Sequence, residues 1–201
     1  MKIEKIVITG GPCAGKTTAI KQIQKVFTER GYYVVLVRET ATELIKGGIA
    51  PWTFDSAYEF QKCLLKIQIE KERFILEAVE KIPDSEKVLV VCDRGVMDNK
   101  GYLTDEEFEQ MLNETDLDES KLRNNYGAVF HLVTAAKGAE KFYTLSNNSA
   151  RMETLGEACK IDDKLIAAWS EHPYFRVIDN TSDFKGKMEK LISEISEYLS
   201  E

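Results

Sequence analysis

The chain has 201 residues, which suffices for one large domain or for a domain with an inserted lid. Hydrophobic residues make up 43% and charged residues 30%, the composition of a globular protein with a sizeable core, and no apolar run approaches the ~18 residues that a membrane span needs. The formal net charge of -7 argues against a broad nucleic-acid-binding face, which needs clustered Lys and Arg, but it is compatible with a small phosphorylated ligand.

The first predicted strand, residues 5–9, begins so early that we expect no signal peptide and a cytoplasmic location. It leads into residues 10–17, which read G-x-x-x-x-G-K-T, and a helical pattern follows over 16–30. In such a phosphate-binding loop (P-loop), backbone amides converge on an anion at a helix N-terminus. We expect Lys16 to reach the β- and γ-phosphates of a nucleoside triphosphate and Thr17 to offer its hydroxyl to Mg²⁺. The predicted nucleotide contacts in the loop are Gly10, Gly11, Pro12, Cys13, Ala14, Gly15, Lys16, Thr17 and Thr18.

The rest of the chain alternates apolar runs with helical patterns. Strands are predicted at 32–37, 87–92, 128–133 and 174–178, and helices at 41–46, 55–82, 104–123 (two short helices), 151–170 and from 183 onward. The run 32–37 is continuously apolar, which predicts burial of both its faces, and Thr53 or Asp55 is the expected cap of the long helix. This alternation indicates an α/β fold with a parallel sheet covered by helices on both faces. No linker is evident, so we predict a single domain over residues 1–201.

Ligands of parallel α/β sheets bind beyond the carboxyl ends of the strands, so the residues after each strand are candidates for the site. Asp93 ends an apolar strand and is predicted to hold Mg²⁺ directly or through water. Arg94 follows it and could bind a phosphate or carboxylate, or hold an acceptor. Glu39 ends the second strand and could take the proton of an acceptor hydroxyl, or it could simply be an acid stabilised by a helix N-terminus.

A polar segment after the fourth strand has the features of a lid, placed at about residues 135–160. Arg151 lies where its loop becomes a helix, and a lid arginine there could stabilise the charge of a transferring phosphoryl group. His131, inside a strand, is predicted to be a hydrogen-bonded core residue rather than a catalyst. Four aromatic residues precede the long helix and could either stack on an acceptor ring or pack against the helix: Trp52, Phe54, Tyr58 and Phe60.

Together these motifs resemble small P-loop kinase-type ATPases related to ribosylnicotinamide kinase domains, which are similar in plan to nucleoside and nucleotide kinases. The resemblance rests on the loop at 10–18, Glu39, Cys-Asp-Arg-Gly at 92–95, and the segments 147–153 and 177–180. It implies a three-layer P-loop NTPase fold whose five strands lie in the order 2-3-1-4-5. It also implies a lid carrying Arg151 and an adenine site near Asn180 and Thr181.

The leading functional prediction is an ATP- and Mg²⁺-dependent phosphotransferase that acts on a small, nucleoside- or nucleotide-like molecule. The alternative is a regulatory ATPase or nucleotide switch that acts on a partner protein. A GTPase is poorly supported because no N-K-x-D follows the fourth strand. A degenerate scaffold without turnover is disfavoured by the intact Lys16, Thr17 and Asp93. The sequence does not indicate the acceptor or the oligomeric state.

Overall fold

The structure, a computed structural model, describes residues 2–82, 87–143 and 154–200. Its strands are β1 (Lys2–Gly10), β2 (Tyr33–Val37), β3 (Lys87–Asp93), β4 (Ala128–Leu132) and β5 (Phe175–Ile178). Its α-helices are α1 (Lys16–Glu29), α2 (Thr40–Lys46), α3 (Ala57–Val79), α4 (Asp105–Thr115), α5 (Glu119–Arg123), α6 (Leu155–Trp169) and α7 (Phe184–Tyr198). Short 3-10 helices cover Pro51–Thr53, Val96–Tyr102 and Glu140–Phe142.

The strands form one parallel sheet in the order β2-β3-β1-β4-β5, so the predicted fold class and strand order are confirmed. The central strand β1 pairs with β3 on one side and with β4 on the other. In this register Ile8 lies opposite Asp93 in β3 and opposite Phe130 in β4. The P-loop after β1 therefore emerges beside the carboxyl ends of both neighbours.

Helices cover both faces of the sheet, which makes the three layers expected. Because side chains alternate along a strand, Val7 of β1 points to one face while Ile6 and Ile8 point to the other. The face of Val7 is packed by α3, α4 and α6, with Leu65, Phe108 and Trp169 among its buried residues. The face of Ile6 and Ile8 is packed by α1 and α7, with Ile23, Phe27, Leu191 and Ile195. Full burial of each such side chain is worth roughly 1.5–3 kcal/mol relative to exposure, so both layers contribute to fixing β1.

The prediction that both faces of the second strand are buried holds only in part: both faces pack against the core, but most of the side chains are half-buried. Among the described residues β2 pairs with β3 alone and forms an edge of the sheet, and three of its five residues are half-buried. Tyr33 at its start is 50% exposed. A continuous apolar run indicates a strand of a parallel sheet, but the run alone does not distinguish a central strand from an edge strand.

The cap predicted for the long helix is also wrong. Ser56, rather than Thr53 or Asp55, is the N-cap of α3, and its hydroxyl accepts a hydrogen bond from the amide of Glu59 at 3.2 Å. Thr53 instead ends the short 3-10 helix, where its hydroxyl donates to the carbonyl of Ala50 at 2.8 Å. The N-cap therefore lies one residue after Asp55, the later of the two predicted positions.

Within the described ranges, none of the helices combines the length and the apolar character needed to span a membrane.

The two short helices expected between 104 and 123 are present as α4 and α5. Thr104 caps α4 through a reciprocal pair of hydrogen bonds with Glu107, at 3.1 and 2.8 Å.

Candidate functional site

The P-loop presents an open helix N-terminus to the cavity beside it. The backbone of Gly15 has a φ of 91°, and no side-chain hydrogen bond from the described residues caps α1 at this position. This positive φ favours glycine, and a Cβ on Gly15 would also lie 2.7 Å from the ring of Phe184, which would have to move. An uncapped helix N-terminus with converging amides is a binding site for an anion.

Lys16 supplies the positive charge of the loop. Its ammonium group is buried and donates to the carbonyl oxygens of Gly10 at 2.7 Å and Gly11 at 3.0 Å. Burial and, next, repulsion by Arg94 lower the pKa of Lys16 to about 8. The side chain is therefore still mainly protonated at about pH 7 and can stabilise phosphate charge.

Asp93 and Thr17 fit a magnesium site. One carboxylate oxygen of Asp93, Oδ1, is buried and has no hydrogen-bond partner among the described residues. Burial raises the pKa of Asp93, with Lys16 opposing the shift. In the described ranges no group of three or more His, Cys, Asp or Glu side chains could hold a metal by itself. A site with one carboxylate and one hydroxyl is what Mg²⁺ accepts when phosphate oxygens and waters complete its shell.

Arg94 and Glu39, predicted separately on the acceptor side, form an ion pair. The Nε of Arg94 donates to Glu39, and its Nη1 lies 3.3 Å from Oδ2 of Asp98. Thr42 also donates to Glu39, at 2.6 Å. Burial opposes ionisation of Glu39, but the charges of Arg94 and Lys16 outweigh it and lower its pKa to about 2. While the pair is closed and no phosphate is bound, Glu39 is a weak base, so a role in proton abstraction requires the charges around it to change.

Asp98 is a site residue that the sequence reasoning missed. Its carboxylate is buried and accepts from the hydroxyl of Thr9 at 2.7 and 2.8 Å and from the indole Nε1 of Trp169 at 2.7 Å. Because Thr9 and Trp169 hold Asp98 in place, its contact with Arg94 gives the guanidinium a second acidic partner beside Glu39. The spacing of four residues from Arg94 was a weak signal, because Arg94 has a φ of 69° and precedes the 3-10 helix that contains Asp98.

Asn180 lies at the other end of the cavity, where the resemblance implied an adenine site. Its side-chain amide donates to the carbonyls of Thr134 at 2.8 Å and Lys137 at 2.7 Å, and its oxygen accepts from Lys187 at 2.7 Å. Asn180 therefore holds the segment after β4 in place by hydrogen bonds to its backbone. Thr181 is exposed and donates to Asp179 at 2.6 Å.

His131 is hydrogen-bonded within the core, as predicted. It is fully buried, and its Nε2 lies 3.0 Å from Oδ1 of Asp162. Asp162, like Lys187, was missed by the sequence reasoning. The sequence around it, K-I-D-D-K-L-I, is that of an ordinary amphipathic helix in which acids face solvent.

A cavity of about 1410 Å³ lies beside the P-loop, and His131, Asp162 and Thr181 are not among the residues that line it. It runs from the P-loop past Asp93 to Glu39 and Arg94, and it also reaches Asn180. Of the aromatic residues considered, Trp52 and Phe60 line it, whereas Phe54 packs on Phe60 and Tyr58 bonds Glu114. The predicted lid arginine, Arg151, and the segment 147–150 lie outside the described residues. The predicted site residues that line the cavity are Pro12, Cys13, Ala14, Gly15, Lys16, Thr17, Thr18, Glu39, Asp93, Arg94 and Asn180.

A protein-family model described as an AAA domain matches residues 5–187. No match was found among curated proteins. The matched residues include β1, the P-loop, Asp93 and all five strands. The prediction of a P-loop NTPase-type domain is thereby confirmed, and the closer relation to kinases stays a prediction.

Proposed function

This chain belongs to the AAA domain family, and we propose that it is an ATP-dependent phosphotransferase. The acceptor would be a small, nucleoside- or nucleotide-like molecule. One observation carries the proposal: the cavity continues from the P-loop to a second wall that contains Glu39, Arg94 and Trp52. Its volume of about 1410 Å³ exceeds the roughly 300–1,000 Å³ of pockets for one drug-sized ligand, which leaves room for a donor and an acceptor. A hydrolase needs only a water molecule on that side.

Buried polar atoms without partners support an acceptor in this space. Oε1 of Gln61 and Oδ1 of Asn99 are buried, line the cavity, and have no hydrogen-bond partner among the described residues. An unsatisfied buried acceptor costs roughly 1–3 kcal/mol, so a rotation of either side chain that brings its oxygen to a hydrogen-bond donor of a ligand would gain affinity. Hydroxyl and amino groups, which nucleosides carry, are such donors.

The proposed roles follow from position. Lys16 and the loop amides would bind the β- and γ-phosphates, and Thr17 with Asp93 would hold Mg²⁺, which neutralises phosphate charge when bound. Arg94 would orient the acceptor, whose hydroxyl oxygen forms a bond to the γ-phosphorus as the bond to the ADP oxygen breaks. Glu39, once released from Arg94, would take the hydroxyl proton, and Arg151 would cover the transferring group from the lid.

A transfer screen tests the proposal. The protein is incubated with Mg-ATP or Mg-GTP and a panel of nucleosides, nucleotides and vitamins, and phosphorylated products are identified by mass spectrometry. We expect one acceptor class to give product with ATP. Lys16→Met should abolish that product while the thermal unfolding midpoint stays close to the parent value, because Lys16 serves the ligand. Background hydrolysis alone across the panel would contradict transfer.

A regulatory ATPase is the second candidate, and the exposure of Trp52 favours it. This side chain is 73% exposed at the rim of the cavity, where a partner protein could cover it. Slow hydrolysis without any acceptor, together with partner binding that ATP changes, would support this function over transfer.

A further inference from the structure

We propose that Asp162 and Lys187 are positioning residues that brace the P-loop against the segment after β4 and so preorganise the donor site. Neither belongs to the loop motif, and they come from different helices, α6 and α7. The inference deepens the proposed function by assigning residues to its nucleotide site, and it rests on that site. Its test needs nucleotide binding only, so it can fail or succeed independently of phosphoryl transfer.

Asp162 binds the first half of the loop through backbone amides. Its side chain is fully buried, and its Oδ1 accepts from the amide of Gly11 at 3.1 Å and from the amide of Thr134 at 3.0 Å. The same oxygen lies 3.0 Å from His131, and Oδ2 accepts from Lys137 at 2.9 Å. One carboxylate thus joins the P-loop to the end of β4 with charge-assisted hydrogen bonds.

The loop sequence is adapted to this contact at Gly11. A Cβ at this position would lie 2.8 Å from Oδ1 and 3.0 Å from Cβ of Asp162. Gly11 occupies a variable position of the G-x-x-x-x-G-K-T pattern, so the phosphate site itself does not require glycine there. The close approach of Asp162 explains the glycine.

Lys187 binds the second half of the loop through carbonyl oxygens. Its ammonium group is buried and donates to Ala14 at 3.3 Å, to Val133 at 2.7 Å and to the side chain of Asn180 at 2.7 Å. Asp162 therefore accepts a hydrogen bond from an amide of the loop, whereas Lys187 donates one to a carbonyl of the same loop. Both side chains also bind the backbone of residues 133–134. Thr134 adds a third link, since its hydroxyl donates to the carbonyl of Pro12.

The loop between these contacts has a backbone that needs support. Gly10 and Gly15 have positive φ angles, and Cys13, a residue with a side chain, has a φ of 57°. Non-glycine residues in this region persist where the surrounding structure holds them. A loop held in its binding conformation pays less ordering entropy when the phosphates bind, which raises affinity.

The experiment compares Asp162→Asn with Asp163→Asn. Asp163 is the next residue of α6 and also contacts Lys137, at 2.6 Å, but has no bond to the loop among the described residues. Two quantities are measured: the Kd of Mg-ATP by titration calorimetry, and hydrogen–deuterium exchange of the peptide covering residues 10–16 in nucleotide-free protein. We expect Asp162→Asn to raise the Kd at least about ten-fold and to accelerate exchange, and Asp163→Asn to change the Kd less than about two-fold.

Lys187→Met provides an independent variant if Asp162→Asn does not fold, with the exposed Lys190→Met on the same helix as its control. We expect Lys187→Met to raise the Kd and to accelerate exchange of residues 10–16. The exchange data are decisive because a residue that only touches bound phosphate would leave the free loop unchanged. A folded variant with a parental Kd, or a weakened Kd with parental exchange, would overturn the bracing role, even if its melting temperature falls.

Discussion

Replacing Arg94 by Met should raise the pKa of Glu39, so that protonation of Glu39 becomes visible in the pH dependence of activity. The guanidinium is the largest influence that favours the charged form of Glu39, whose pKa is about 2. Both side chains are largely shielded from solvent, with exposures of 14% for Arg94 and 25% for Glu39. Met retains much of the side-chain volume but removes the charge and the hydrogen bonds to Glu39 and Asp98.

The size of the shift follows from the geometry of the pair. An opposite charge within ~4–6 Å lowers the pKa of a carboxyl group by roughly 1–3 units, and a pair at ~4 Å near a protein surface interacts by about 4 kcal/mol. Burial, which raises the pKa, remains in the variant, as do Lys16 and the hydrogen bond from Thr42. We therefore expect the pKa of Glu39 to reach roughly 3–5.

The assay is the pH dependence of kcat/KM, which reports groups of the free enzyme. A base must be ionised, so activity falls as the pH drops through its pKa. The parent profile should show no acid limb from Glu39 above about pH 4, whereas Arg94→Met should lose activity progressively below about pH 5. The absolute rate also falls because Arg94 is proposed to orient the acceptor, so the readout is the shape of the profile.

The control is Glu39→Gln in the Arg94→Met background, which should remove the new acid limb. A limb that persists there belongs to another group, for which Asp93, with its raised pKa, is the candidate. If Arg94→Met gains no limb that Glu39→Gln removes, or if the parent already has such a limb close to neutral pH, Arg94 does not suppress the basicity of Glu39.

Three further predictions concern the metal site, the helix cap and acid stability. Asp93→Asn should raise the Mg²⁺ concentration needed for half-maximal ATP turnover by about ten-fold or more, in a magnesium titration; an unchanged requirement would exclude Asp93 from the site. Ser56→Ala should lower the free energy of unfolding by about 1 kcal/mol in urea, because it removes the cap on Glu59, while Asp55→Ala should change it little. Burial opposes ionisation of Asp162, but His131 and Lys137 hold its pKa at about 2, below the unfolded value. Its contribution of about 2 kcal/mol is therefore present above about pH 4 and lost as the pH falls through about 2, so the stability difference between the parent and Asp162→Asn should shrink over that window.

The layout of the site could be predicted from the sequence because all strands of a parallel sheet end at the same edge. The sequence therefore predicts Glu39, Asp93 and Arg94 near one crevice without knowledge of any side-chain contact, and the resemblance adds Asn180. They do line one cavity with the P-loop. The order of the strands could not be predicted in this way. The alternation of strands and helices predicts a parallel sheet but no strand order, and the order was implied by the family resemblance alone.

The supporting residues could not be predicted because their partners are remote in sequence. Thr9 and Asp98 are 89 residues apart, and Gly11 and Asp162 are 151 apart. Helical periodicity separates a polar face from an apolar face, but it does not tell which acid is covered by another part of the chain. The same limit applies to Ser56, because periodicity does not distinguish it from Asp55 as the cap of α3.

The charges at the centre of the cavity connect the two walls of the site. Lys16 is the second cation, after Arg94, that lowers the pKa of Glu39. In the free protein its ammonium group binds the carbonyls of Gly10 and Gly11. Phosphates bound to the loop would neutralise that charge, which weakens the field on Glu39 and makes its carboxylate a stronger base. The donor would thus increase the reactivity of the acceptor side only when it is bound, and the low pKa of Glu39 in the free protein is compatible with a base that acts in the complex.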